Sequence, residues 1–349
     1  MKVTRSYKLK LYPNQTKEDT MRYTWNRFKE YCQVWVGKLY FNENKHISTQ
    51  GLGKLANDAE HKARAIIRCQ TAAAKATGNK TNIPDLKNIG MTAKLEIPQK
   101  KGEFDYWVNI LNQWQGKPLK IPAKAHKGLN HALKSGWTFS KTNQCEVKKI
   151  GRHWYAIVFV SKEVEKAAPA PETLGVDVGI NHGCTDSRGY RGINLGRVIR
   201  TQRLKQAERS RQGHKTKFRS KSTIKQLLDK EAKVLIGRSR RFGCSLAVES
   251  SKTLSNLRCG RLTGWARCYL HTRLKVLCKE AGIFFTEVWA AYSSQECSQC
   301  HHRDRKSRRR RAFKCVSCGY RDDADLNAAR NLELRGTTAI SKMMAISCR

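Results

Sequence analysis

Four cysteines late in the sequence form two close pairs, Cys297-x2-Cys300 and Cys315-x2-Cys318, with fourteen residues between them. Two pairs of soft thiolate ligands at such a separation suit a tetrahedral zinc ion, each pair on its own knuckle. The separation is slightly shorter than usual, but within what a hairpin tolerates. Four thiolates leave no open coordination position, so the spacing predicts one structural Zn2+ and a short ribbon built around it. A thiol redox site would need one pair, not two. His301 and His302 stand next to the first pair, as substitute ligands or as bystanders. Between the pairs, residues 303–311 hold six arginines and a lysine, among them Arg308, Arg309 and Arg311. That loop is expected to touch nucleic acid while the metal holds its shape.

Charge points the same way. In 349 residues, 69 Lys and Arg stand against 28 Asp and Glu, a net charge of +41. A surplus of this size repels itself unless a polyanion covers it. Basic residues run from Lys2 to Arg349, so this is not a basic tail on a neutral domain, and nucleic acid is the expected partner. No apolar run approaches the ~18 residues that would predict a membrane span. The opening residues lack the apolar core of a signal peptide, which predicts a cytoplasmic, nucleoid-associated protein without a membrane partner. The thirteen cysteines are an odd number in a large chain, unlike a disulfide scaffold. The nine single ones, such as Cys32, Cys69 and Cys145, are expected to be buried small hydrophobes.

Residues 7–13 alternate apolar and basic, Lys8 and Lys10 included, and read as a strand ended by Pro13. Met21, Trp25, Phe28, Cys32, Trp35 and Leu39 recur at helical spacing as one apolar stripe. A second helix is expected over 52–76. From about residue 94 the period changes to two: short strands at 95–97, 106–111, 119–121, 137–140 and 146–149, then a hairpin returning over 154–160, suggest a small barrel. Residues 162–172 read as a linker. The second half opens on an apolar strand around Asp177, followed by a short strand at 183–187. The stretch 200–241 is basic and helical, and Arg203, Lys205, Arg209, Lys215, Lys217 and Arg219 are its candidate nucleic-acid contacts. A strand at 244–248, a helix over 265–281 stopped by Gly282 and a strand at 283–289 complete the pattern.

Three carboxylates carry the candidate chemistry. Asp177 lies within an apolar strand, where an unpaired charge is costly. Glu249 ends another such strand, and Asp325 precedes a helical pattern from Leu326 to Leu332. Converging carboxylates can share one or two Mg2+ ions, which activate water for phosphodiester hydrolysis. Strand, strand, helix is the order of such acids in the RNase H/RuvC arrangement. Asp322 and Asp323 compete with Asp325 on chemistry alone.

With YKLKLYP, GVDVG, VES, AYSSQECSQC, RAFKCVSCGY and DADLNAARN in this order, the chain resembles the TnpB family of transposon-encoded RNA-guided nucleases and their relatives, the miniature type V CRISPR effectors. The resemblance implies an α+β multidomain fold. Residues 1–15 and 92–168 would form a wedge β-barrel interrupted by a helical recognition lobe over 16–91. An RNase H-like RuvC domain would span 172–291, with a zinc ribbon over 292–321 and the last RuvC helix over 322–341. It places the catalytic acids on Asp177, Glu249 and Asp325, the last because the family pattern is Asp-x-Asn-Ala-Ala. The implied activity is Mg2+-dependent DNA cleavage in one RuvC site, with a guide RNA and target double-stranded DNA as partners. One departure stands out: His301 takes the place of the family's usual glycine after the first cysteine pair. Rival readings are a guided repressor on a dead nuclease, opposed by the presence of all three acids, a guide-independent transposition factor, and a CRISPR effector.

Overall fold

Alternation of apolar and basic residues gives β1 (Lys2–Leu11) one buried side, with Val3, Leu9 and Leu11 inside. In the computed structural model, which describes residues 1–41, 43, 53–78, 86, 89–98, 103–110, 118–179, 182–213, 220–250 and 261–347, this strand opens a closed six-stranded barrel. Its other members are β2 (Met91–Glu96), β3 (Tyr106–Ile110), β4 (Leu119–Lys124), β6 (Gln144–Ile150) and β7 (His153–Glu163). Antiparallel pairing runs β1-β4-β3-β2-β6-β7, and β1 closes the ring against β7 from Lys2↔Glu163 to Lys10↔Tyr155. The two-residue β5 (Thr138–Phe139) adds to the β7 edge. Inward residues such as Ile121, Val147, Trp154 and Val158 fill the interior.

Helices α1 (Gln15–Phe41) and α2 (Lys54–Thr77) belong to the same compact unit, Lys2–Glu163, and α3 (Lys127–Lys134) is a short helix within it. The buried line of α1 passes through Met21, Thr24, Phe28, Cys32 and Val36. The predicted stripe therefore needs correction: Leu39 is exposed and Trp35 only half-buried. Lysines or arginines cover the flanking indoles, Lys29 over Trp25 at 4.7 Å and Arg64 over Trp35 at 5.7 Å, which lets the rings sit at the rim of the core.

The second unit is Val164–Arg349, with Met1. The expected linker at 162–172 begins later than predicted, because β7 runs on to Glu163. Strand β8 (Thr173–Asp177) is buried except at Asp177 and pairs in parallel with β10 (Ser245–Glu249), which pairs in parallel with β11 (Phe285–Val288). Near-continuous burial suits a parallel sheet covered on both faces. The strand expected at 183–187 shrinks to β9 (Thr185–Asp186), antiparallel to β8. Leu195 and Ile199 bury the start of α4 (Leu195–Arg211), while Ile224, Leu228, Ala232 and Leu235 form one face of α5 (Ser220–Phe242). Leu270, Leu274 and Cys278 do the same for α6 (Arg261–Ala281), and Gly282, at φ 67°, ends it as predicted. The ribbon strands β12 (Arg308–Arg309), β13 (Ala312–Lys314) and β14 (Arg321–Asp323) lead into α7 (Ala324–Ser347).

The mixed α/β class with a small barrel is the class that the sequence predicts. Of the single cysteines, Cys32, Cys145, Cys184, Cys244 and Cys278 are buried, but Cys69 and Cys268 are exposed on helix surfaces, contrary to expectation. Among the described residues, no helix is long and apolar enough to cross a membrane.

Candidate active site and metal centre

Parallel pairing sets Val248 opposite Val176, so Glu249 and Asp177 end adjacent strands at the same edge of the sheet. Asp325 arrives from the first turn of α7, which begins at Ala324, two residues before the helical pattern read from the sequence. Glu249 and Asp325 are buried and Asp177 is half-buried. Burial first, then the neighbouring carboxylates of Glu249 and Asp325, push the Asp177 carboxyl up to about 8. Burial also raises Glu249, against the Arg267 guanidinium and the Val178 amide that favour its charged form.

Two arginines answer this negative charge. Arg267, buried on α6, donates from Nη2 to Glu249 Oε1 at 2.9 Å, while its buried Nε finds no partner. Arg308 of the ribbon reaches to 3.7 Å from Asp325 Oδ1. The competing acids are engaged elsewhere. Asp322 accepts from Arg330 at 2.6 Å and from the Tyr320 hydroxyl at 2.7 Å. Asp323 Oδ1 caps α7, accepting from the amides of Asp325 (2.9 Å) and Leu326 (3.4 Å).

Close helix packing brings Asp325 to the sheet. A Cβ added at Gly175 would lie 2.1 Å from the Ala329 carbonyl oxygen, and one at Gly336 would lie 2.4 Å from Ala247 Cβ. Both glycines let α7 lie directly on β8 and β10. Asn327 and Asn331 then tie this helix to the ribbon's entrance: each donates to the Glu296 carbonyl at 2.7 Å, and Asn331 also to that of Ser293. Sequence reasoning missed Arg267, the two glycines and these asparagines. The DADLNAARN motif held the asparagines in plain view, but their partners are some thirty or more residues upstream.

The four cysteines converge as predicted. Cys297 Sγ is 3.7 Å from Cys318 Sγ, and Cys300 Sγ is 3.5 Å from Cys315 Sγ. A tetrahedron with Zn–S bonds of about 2.3 Å has edges of about 3.8 Å, so these thiols could hold a zinc ion. Burial opposes the Cys315 thiolate, but the Cys318 and Ser317 amides outweigh it and bring the thiol down to about 6. His301 has φ 60°, the left-handed conformation in which glycine is the ordinary choice, and its Nδ1 lies 3.8 Å from Glu296. Among the described residues, only the cysteine quartet brings three or more candidate ligand atoms within 4.8 Å of one another. The oxygens of Asp177, Glu249 and Asp325 do not all lie within that distance of one another.

The predicted nucleic-acid contacts divide. Lys8, Arg203, Lys205, Arg209 and Arg309 are exposed and Lys10 half-exposed, whereas Lys215, Lys217 and Arg219 lie outside the described residues. Arg308 leans on Asp325. Arg311 Nη2 lies 2.6 Å from His182 Nε2 and 3.8 Å from Asp323, so part of the ribbon's charge is turned toward the acids.

Residues 265–332 match the family model described as Cas12f1-like, TNB domain. The chain is 30% identical over 172 residues to the CRISPR-associated endodeoxyribonuclease Cas12f1 of Sulfoacidibacillus thermotolerans, covering 46% of this chain and 40% of that protein. It is 24% identical over 225 residues to Cas12f1 of Syntrophomonas palmitatica, covering 55% and 45%. The chain thus spans less than half the length of these curated relatives. Its fold is similar to that in a cryo-EM structure of a Cas12f1–sgRNA–target DNA complex, with a TM-score of 0.54 at 12% identity over 95% of this chain and 99% of that one. Over about half of its sequence, and in its fold, this chain is similar to Cas12f1 proteins.

Proposed function

We propose that this chain is an RNA-guided DNA endonuclease of the TnpB type, cutting in a single RuvC-like site formed by Asp177, Glu249 and Asp325. The observation that carries this reading is the convergence of three acids, Asp177 and Glu249 at the ends of adjacent strands and Asp325 in the first turn of α7, where burial first and then the two neighbouring carboxylates push Asp177 up to about 8. Perturbed acids gathered at one sheet edge are what a cation-dependent hydrolase requires. Mg2+ held there would supply positive charge to the phosphodiester and an acidified water. Arg267 holds Glu249 in place, and Arg308 stands ready beside Asp325 to meet a phosphate. Zn2+ on the four cysteines would hold the basic loop at 303–311 in shape.

On this reading, residues 1–15 and 92–168 form a wedge barrel and 16–91 a recognition lobe. RuvC spans 172–291, the ribbon 292–321 and the last helix 322–341. Guide RNA would cover the basic surface, including the exposed arginines of α4, and base pairing would select the target DNA. Asp177→Ala should abolish DNA cleavage while leaving RNA binding intact, measured on the same preparation. Undiminished cutting would overturn the assignment.

A miniature CRISPR effector is the second reading, favoured by the CRISPR-associated relatives. Sequencing the RNA that co-purifies with the chain separates the two. One RNA from an adjacent transposon end, with a variable 3′ segment, supports the first, and short RNAs with repeat-derived handles support the second.

A further inference from the structure

Two exposed aromatic rings follow β11, the strand paired with the one that Glu249 ends. Val288 lies opposite Glu249, and Trp289 is the next residue, just past the end of β11. Trp289 is 66% exposed and Tyr292 53%. With Glu287, Arg303 and Arg335 they line an open cavity of about 470 Å3.

This segment is built, not loose. Arg335 donates to the carbonyls of Trp289 at 2.6 Å and Ala291 at 3.0 Å, and pairs with Glu296 at 2.5 Å. Tyr292 has φ 62°, a conformation that a bulky side chain rarely adopts, and its carbonyl accepts from the amides of Gln295 and Glu296. Arg303, bridged through its backbone to Glu296, lays its guanidinium 4.3 Å from the Tyr292 ring centroid. The one acid in the lining, Glu287, is paired with Lys275 at 3.2 Å. A turn that served only to connect β11 to the ribbon would need neither two exposed rings nor a strained backbone to present one of them. Flat rings beside a guanidinium are how proteins hold unpaired bases.

We propose that Trp289, Tyr292 and Arg303 form a stacking platform for one unpaired base of the DNA strand being cut. The proposal rests on the nuclease reading above and deepens it: the site would prefer single-stranded DNA, because a base inside a duplex has both faces covered. Stacking of this kind tolerates any base, so the platform would position the strand without reading its sequence.

The test uses the full chain with its co-purifying RNA, carrying Asp177→Asn so that DNA is retained. Single-stranded oligonucleotides are scanned with 2-aminopurine, and then with an abasic nucleotide, at each position. Quenching at one or two positions is expected, and an abasic nucleotide there should weaken binding by about 5- to 100-fold. Trp289→Ala or Tyr292→Ala should weaken binding by a similar factor, with little further loss when combined with the abasic strand. The slope of log affinity against log salt should not change, since no counterion release is lost. Trp289→Phe and Tyr292→Phe should rescue, which separates stacking from misfolding. If the active chain cuts DNA but the abasic and fluorescence scans are flat, the platform is wrong and the nuclease reading stands. If the active chain cuts no DNA in Mg2+, both fail.

Discussion

Asp177 holds its proton at a pH where most carboxylates have long lost theirs. Its ordinary value is 3.8, and burial with two neighbouring acids moves it to about 8. Between about pH 4 and pH 8 the unfolded chain has released this proton and the folded chain has not, so the metal-free protein loses stability as pH rises through that window. Asp177→Asn removes the effect and should stabilise the metal-free chain at pH 8 by on the order of 1–3 kcal/mol, less than the full shift implies because the side chain is half-exposed. At pH 4 the two proteins should melt alike. Adding Mg2+ at pH 8 should raise the melting temperature of the native protein and not of the variant. Equal melting of both at pH 8, with and without the ion, would show that Asp177 is not under this strain. Arg267 belongs to the same balance: it opposes the rise that burial causes at Glu249, from a buried position that nothing in a helical periodicity distinguishes from core.

At the scale of elements, the site depends on how closely one helix lies on one sheet. Gly175 faces the backbone of α7 at Ala329 and Glu333, and Gly336 faces Ala247 on β10. Backbone opposite Gly175 cannot rotate away as a side-chain tip could. Gly175→Ala should therefore lift α7, cost more than the ~1–3 kcal/mol typical of overpacking, and separate Asp325 from Asp177. The expected readout is a lowered melting temperature with cleavage lost even below that temperature. Full activity in a stable variant would mean that the helix can shift without harm. The ribbon reaches the same helix through Asn327 and Asn331, so the knuckle and the acids form one continuous piece of structure.

For the molecule as a whole, the surplus of +41 is the dominant fact. Twenty-eight acids cannot neutralise 69 basic residues one for one, so most of the positive charge stays uncompensated within the chain. Freed of any bound polyanion, the chain should gain melting temperature as salt rises from ~50 to ~500 mM, because screening relieves its self-repulsion. A short polyanion such as heparin should do the same at low salt. A melting temperature that falls with salt would mean that attractive pairs outweigh repulsion. Spacing and composition alone determined the cysteine quartet, the barrel's alternating strands, the surplus charge that predicts a polyanion and Asp177 and Glu249 as candidate acids, since each depends on local periodicity or on a sum over the chain; Asp325 stood out from Asp322 and Asp323 only through the family resemblance. His301 was visible as a residue in a glycine's place, and its φ of 60° shows why a glycine would be expected there. Only the tertiary structure decided that Asp322 and Asp323 are spent on Arg330 and on the helix cap, that Arg267 faces Glu249, and that Gly175 is a contact surface. Those facts depend on which distant segments meet, and a one-dimensional pattern carries no term for the partner across a sheet edge.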